Sequence, residues 1–474
     1  MKYNNIIKRS LLMAMVAFAA TACQEDLTIG NVQAPDVADE GTQLLYVADA
    51  HGSTAHPNVE FRGTGNVDMF AHITNASAEE QSLNLAYDIS ALDAYNQANN
   101  TNLEAVPETL VSFSNGGVAT IAAGETISAP VTVTITSDGS LEDGKIYVVP
   151  VRISTGSTAA LSSASQTRLI FVKDHTALPD CFKTWTDDNG VEHEGIKIFS
   201  CMEVNDTNPL NNLSFTLKKS GKYLIDALII FSGNINYSAE TGRVYFYANS
   251  NVQYLLDNRE KYFKPLQDRG MKVIMGILGN HDRAGISNLT DETARLFAQE
   301  LNAICDAYQL DGIFWDDEYT SAIRPAPEGF VTPSKAAASR LIYEVWKLQP
   351  ERWNVAYAYS STYGLNEVDG VPAGVYCQYA LHDYGGSADL SSYFPGMPKS
   401  NMGLLSQQFA MSTTYPEARL RQLRDDGYGS YMIFAMDPFR NNWANRQLSA
   451  LKTIASAFYD DELSIDGDFY EKDW

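Results

Sequence analysis

Positive charge is scarce in this chain: 34 Lys and Arg stand against 58 Asp and Glu, a formal charge of −24 over 474 residues. Binding nucleic acid needs clustered cations to neutralise phosphates, so that partner is excluded, whereas a neutral sugar is compatible. Cysteine is sparse as well. None of the five cysteines has CxxC spacing, which removes the common zinc and redox motifs. Cys201, Cys305 and Cys377 sit in apolar contexts that suit buried free thiols, and a Cys181–Cys201 disulfide stays open. The seven histidines show no HExxH-type spacing, so no metal is expected. No glycine-rich phosphate turn follows a strand, and no cofactor is expected. The apolar run at 11–20 is too short for a spanning helix, which needs about 20 residues. Core-forming material is abundant: 45% of the residues are hydrophobic, enough for about two or three domains.

At the start of the chain, Lys2, Lys8 and Arg9 precede that apolar run, and small residues follow it up to Cys23. This is the pattern of a secretory signal over 1–22. Thr21, Ala22 and Cys23 resemble a bacterial lipobox, although Ala20 replaces its usual Leu. The resemblance implies cleavage before Cys23 and lipid attachment there; an ordinary cleavage site beside a chance cysteine is the alternative. Gln24, Glu25 and Asp26 resemble the acidic tag of surface-exported Gram-negative lipoproteins. The expectation is a protein lipid-anchored to the bacterial outer membrane and facing outward, with 23–42 as a polar tether.

From 43 to 175 the pattern is of short apolar or alternating runs between turn residues, at 43–48, 67–73, 83–89, 118–121, 130–135, 146–153 and 168–172. Seven such strands predict an all-β, antiparallel sandwich, with one helical excursion at 92–99. A linker carrying Pro179 is expected at 175–189. Thereafter strand and helix patterns alternate. Strands are predicted at 196–202, 224–231, 272–278, 312–317, 353–359, 374–379, 403–407 and 430–436, and helices at 252–269, 291–308, 333–348, 415–425 and 445–458. The fold class is thus multidomain, with the sandwich followed by an α/β TIM-type (β/α)8 barrel over 190–474, whose active face is the C-terminal strand ends.

The fourth barrel strand carries the chemistry. In LDGIFWDDEYT (310–320) an apolar run ends in three acids, and the period of two puts Phe314, Asp316 and Glu318 on one face. Two carboxyls this close raise the proton affinity of one of them, which suits acid–base work at a glycosidic bond. A solvated acidic strand end or a metal site would also leave these residues. The stretch resembles the glycoside hydrolase family 18 signature D-G-x-D-x-D-x-E, and its DDEY ending is similar to the endo-β-N-acetylglucosaminidases of the H and F types. That resemblance implies Glu318 as general acid and base and Asp316 as the group that orients the substrate's 2-acetamido arm. The acetamide oxygen would then attack the anomeric carbon in place of a carboxylate nucleophile. Phe314 departs from the pattern, standing where the signature's middle Asp falls.

Other strand ends extend the resemblance. FSGNINY supplies Asn234, Asn236 and Tyr237, and ILGNH supplies Asn280 and His281, as expected substrate contacts; Asx turns and a loop-holding His are the structural alternatives. Tyr319 is expected at the mouth, among aromatics able to stack on sugar faces. In VYCQYALHDYGG, Gln378 and Tyr379 are expected to meet the substrate. Ala380 stands where the related enzymes have a tyrosine that bonds the acetamide, with Tyr384 nearby. IAAGETISAPVTVTI and GKIYVVPVRI resemble a small domain found ahead of family 18 domains in lipoproteins. The whole implies hydrolysis within the diacetylchitobiose core of N-linked glycans. A chitinase, or a glycan-binding protein on a disabled barrel, is the alternative.

Overall fold

The computed structural model describes residues 43–474 apart from Gly385, Ser412 and Asp466; Cys23 and the signal and tether segments lie outside the described residues. Two compact units divide between Ala177 and Leu178.

In the first unit, one sheet runs in the order Ala160–Leu161, Leu44–Ala48, Thr64–Ile73, Val131–Thr136, Val111–Phe113. The other runs Asn58–Phe61, Thr167–Asp174, Tyr147–Ser154, Gln81–Tyr87, Val118–Ile121. All seven expected strands are present within a few residues. Strict alternation along Thr64–Ile73 buries Val67, Met69 and Ala71, and these share one core with Leu85, Val149 and Ile170 of the second sheet. Pairing is not antiparallel throughout: Leu44–Ala48 with Ala160–Leu161, Thr167–Asp174 with Asn58–Phe61, and Tyr147–Ser154 with Glu104–Ala105 are parallel. The partner strands in those three pairs are four residues or shorter, which is why the sequence pattern missed them. The helix Ile89–Asn99 begins where the Asp88 carboxylate accepts the Ser90 N–H, an N-cap.

The second unit is a near-closed parallel barrel. Its staves are β1 (Lys197–Glu203), β2 (Ala227–Ser238), β3 (Lys272–Gly279), β4 (Gly312–Asp316), β5 (Trp353–Ala358), β6 (Tyr379–His382), β7 (Met402–Gly403), β8 (Ser406–Gln408) and β9 (Ser430–Phe434). β7 pairs only with β6 and β8 only with β9, so Leu404 and Leu405 interrupt a single stave. Phe199, Ile229, Ile274, Phe314, Val355, Leu381 and Met432 fill the interior. Their alternate neighbours pack outward under the helices. Fully burying each such side chain contributes about 1.5–3 kcal/mol. The N-terminal end is sealed by Tyr379 against Trp353 and Phe199, at 4.6 and 5.2 Å between ring centroids.

Helix Asp291–Tyr308 follows its predicted span: Thr290 caps it, and Ala294, Phe297, Ala298, Leu301 and Cys305 form its buried stripe. The expected 252–269 helix is broken into Ser250–Asp257, Arg259–Tyr262 and Lys264–Gln267. Pro265, with no N–H to donate, suits only the first turn of a helix, and it sits there in the last piece. Most of the expected linker belongs to the barrel unit. Thr184–Thr186 pairs with Glu192–Glu194, and the buried Lys183 ammonium sits 2.7 Å from Asp226. The four described cysteines are buried free thiols.

One strand was misjudged, with consequences for the site. The expected 374–379 strand begins as a helical turn, Ala373–Tyr376, and the stave is Tyr379–His382. Both stretches are mostly apolar, so the period of the pattern could not separate them.

Candidate active site

β4 delivers its acids as the alternation requires. Phe314 lies in the barrel interior, Trp315 faces outward with its indole N–H on Asn354 Oδ1 at 2.9 Å, and Asp316 is buried at the top of the inner face. Asp317 turns away and accepts the Ser361 N–H at 3.1 Å. Glu318 is partly exposed beside a cleft of about 440 Å³ lined also by Asp317, Tyr319, Thr320, Tyr359 and Ser361, while Asp316 is not part of its wall. Phe314 is 1% exposed and packs on Tyr357 at 6.0 Å, so it underlies the acids and does not block them.

The electrostatics separate the two carboxyls. Asp316 is held well above the ordinary carboxylate range, first by burial and then by the charges of Glu318 and Asp317. Its Oδ1 has no hydrogen-bond partner among the described residues, an arrangement that costs stability unless a ligand group arrives. Burial also raises Glu318, partly offset by a hydrogen bond from Tyr319. Both groups thus bind a proton more tightly than an ordinary carboxylate, and Glu318 is the one that opens onto solvent.

Backbone at this end is unusual. His281, Tyr319, Ser360 and Ala435 have φ of 53°, 57°, 49° and 56°, each within three residues of the end of β3, β4, β5 or β9. Left-handed conformations in non-glycine residues carry strain and gather at functional rims. Gly279 is required where it stands, since a Cβ there would lie 2.2 Å from the Glu318 carbonyl oxygen. It lets the end of β3 run against the turn that carries Glu318 and Tyr319.

The expected contacts divide. β2 continues past the barrel to Ser238 and pairs with Arg243–Tyr247 as a hairpin. Asn236 Oδ1 accepts from Asn280 Nδ2 at 3.2 Å. His281 meets Tyr319 edge to face at 5.2 Å and donates its backbone N–H to the Tyr319 carbonyl at 2.7 Å. These four residues are therefore joined into one rim beside Glu318. Asn234 turns its amide to the Leu278 and Gly279 carbonyls, both at 3.3 Å, and so ties β2 to β3. Tyr237 packs on Phe330 at 5.5 Å, under the Arg283 guanidinium.

Gln378 and Tyr379 are corrected. They lie at the start of β6, the end of the barrel opposite the acids. Gln378 Oε1 accepts the Asn354 N–H at 2.7 Å, and Tyr379 belongs to the basal aromatic seal. Ala380 packs outward in the core under the helices, so no reacting group is missing at its position. The tyrosine at the true exit of β6 is Tyr384, 5.7 Å from the rings of Tyr357 and Phe434. Burial raises its hydroxyl, with the Cys201 thiol, Tyr357 and Asp316 adding to the shift. Glu203, at the end of β1, was missed altogether. The alternation Phe199, Cys201, Glu203 would have found it, since the first two line the interior.

A family model described as an N-terminal domain matches residues 40–160. Endo-β-N-acetylglucosaminidase F1 of Elizabethkingia meningoseptica is 54% identical over 286 residues, 60% of this chain and 84% of that protein. An endo-β-N-acetylglucosaminidase of Flavobacterium sp. (strain SK1022) is 31% identical over 237 residues, 49% of this chain and 73% of that protein. Among solved structures, EndoBT-3987 of Bacteroides thetaiotamicron with a Man5GlcNAc product is 32% identical with a TM-score of 0.57, covering 90% of this chain and 97% of that one. The same protein with a Man9GlcNAc2Asn substrate gives 30% and 0.58, covering 88% and 94%.

Proposed function

This chain belongs to the endo-β-N-acetylglucosaminidases of glycoside hydrolase family 18, and from that premise we propose that it hydrolyses the β-1,4 bond of the diacetylchitobiose core of N-glycans by substrate-assisted catalysis with retention. Glu318 gives its proton to the glycosidic oxygen, which leaves with the departing sugar as its bond to the anomeric carbon breaks, while the acetamide oxygen of the sugar that keeps that carbon bonds to it and forms an oxazolinium ring. Glu318, now ionised, takes a proton from water as that water's oxygen attacks the anomeric carbon and the ring opens. Asp316 accepts the acetamide N–H most strongly as the ring closes and positive charge builds on that group, and Tyr384 supplies a hydroxyl to the acetamide oxygen. Asn236, Asn280, His281 and Tyr319 contact the sugars flanking the bond.

The observation that carries this reading is the buried Asp316 oxygen with no partner, two residues before a Glu with a raised pKa beside an open cleft. That is an acceptor fixed where an amide N–H would arrive, with a proton donor next to it. The test is Glu318→Gln. A high-mannose glycoprotein should be cleaved by the wild type to a glycan ending in one N-acetylglucosamine. The variant should lose about 10²- to 10⁴-fold in rate, the usual contribution of a general acid, and still bind. Equal rates would remove Glu318 from its role.

The fold behind this site is read as a TIM-type (β/α)8 barrel with one split stave, preceded by a β-sandwich accessory domain acting as a spacer. The N-terminal segment is read as a lipoprotein signal that leaves Cys23 lipidated and the enzyme anchored outward in the bacterial outer membrane. Metabolic palmitate labelling that persists in Cys23→Ser would remove the anchor.

A further inference from the structure

Glu203 closes β1 on the inner face of the barrel, above Phe199 and Cys201. In the stave order β1 is separated from β4 by β2 and β3 on one side and by β9, the split stave, β6 and β5 on the other. Glu203 therefore stands across the mouth from Asp316. Both carboxylates lie near enough to Cys201, two residues before Glu203 on β1, to add to the burial that raises its thiol.

The carboxylate of Glu203 makes no hydrogen bond or ion pair among the described residues. The nearby cation does not serve it: Arg440 reaches Asp437 at 3.2 Å and Asp206 at 3.6 Å. Burial raises Glu203, Asp206 adds to this, and Arg440 only partly opposes it. An acceptor-only group turned into a mouth, partly desolvated and without a donor, is poorly placed as a structural element. Asp316 Oδ1, buried and equally partnerless on the facing wall, independently marks this mouth as built for a ligand with donors on two sides. A sugar ring has that character, with an amide N–H at C2 and hydroxyls along its remaining edge.

Resting on the reading of this mouth as the glycosidase site, we infer that Glu203 is a substrate-holding carboxylate that accepts hydroxyl hydrogen bonds from the edge of the same sugar whose acetamide meets Asp316. The ring is thereby gripped between β1 and β4, and its anomeric carbon is held level with Glu318. Asp206 and Arg440 lie one layer further out and are not contacts.

The test uses the full chain with a high-mannose asparagine-linked glycopeptide. Glu203→Gln and Glu203→Leu are compared with wild type for kcat and KM, and each is combined with Glu318→Gln so that glycopeptide Kd is read without turnover. Loss of a hydrogen bond to a charged group predicts Kd and kcat/KM worse by about 10- to 100-fold for Leu. Gln, which keeps one acceptor but loses the charge, should weaken Kd by more than threefold and by less than Leu. Asp206→Asn should stay within threefold of wild type. If Leu disturbs folding, the isosteric Gln variant decides alone. A Kd within threefold of the Glu318→Gln parent for Gln, or for a folded Leu variant, overturns the inference. A wild type that releases no glycan but whose binding depends on Glu203 would sink the hydrolytic reading and leave this one standing.

Discussion

Replacing Asp316 by Asn keeps the shape of the side chain and removes its charge, and the structure predicts opposite effects on stability and rate. Burial first, and then Glu318 and Asp317, hold this carboxyl above its ordinary range in the folded protein. An acid whose folded pKa is raised binds more protons native than unfolded, so stability falls as pH rises from the ordinary carboxylate range, near 4, toward the raised value. Asn has no proton to lose. The variant should match wild type below about pH 4 and melt at higher temperature at pH 7. Rate should move the other way. On the proposed reading, the buried, partnerless Oδ1 would accept the acetamide N–H in a charge-assisted hydrogen bond worth about 1.5–3 kcal/mol, whereas the Asn Oδ1 would offer a neutral one worth about 0.5–1.5 kcal/mol. The loss is then about 1–1.5 kcal/mol, and at about 1.4 kcal/mol per factor of ten kcat should drop roughly 5- to 12-fold with little change in KM. The assay pairs calorimetry at several pH values with chromatographic measurement of released glycan. A kcat within threefold of wild type, or a variant that melts lower at pH 7, would refute the argument.

Tyr384→Phe removes only a hydroxyl from the exit of β6. It should lower kcat about 5- to 100-fold, as loss of one buried hydrogen bond of about 1–3 kcal/mol implies, with the melting temperature unchanged. Lys183→Met leaves Asp226 buried without its cation. It should cost about 3–5 kcal/mol at pH 7, measured by urea unfolding. Asp226 is already raised by burial, so it protonates readily as pH falls, and the deficit should shrink toward pH 4.

How much of the site was legible depended on whether its residues shared one element. Phe314, Asp316 and Glu318 are spaced by two on one strand, so their common face followed from strand geometry alone. Asn236, Asn280, His281 and Tyr319 came from three strand ends, and the hydrogen bond between Asn236 and Asn280 joins residues that no local pattern relates. Gln378, Tyr379 and Ala380 went wrong for one reason. The helical turn Ala373–Tyr376 and the strand after it are equally apolar, and shifting the strand by a few residues exchanges the bottom of the barrel for its top. Glu203 needed only the alternation of its own strand, once β1 was extended by one residue.

The chain's order of alternating runs and then of strand–helix repeats was set by local spacing, because a strand repeats every two residues and a helix every 3.6 whatever lies beside them. The acids at the end of β4 were likewise written in one short segment. Burial of Asp316, the facing position of Glu203 and the choice of Tyr384 were decided only when the sheet curved round on itself. Those properties belong to distances between staves, and a barrel sets them by closing.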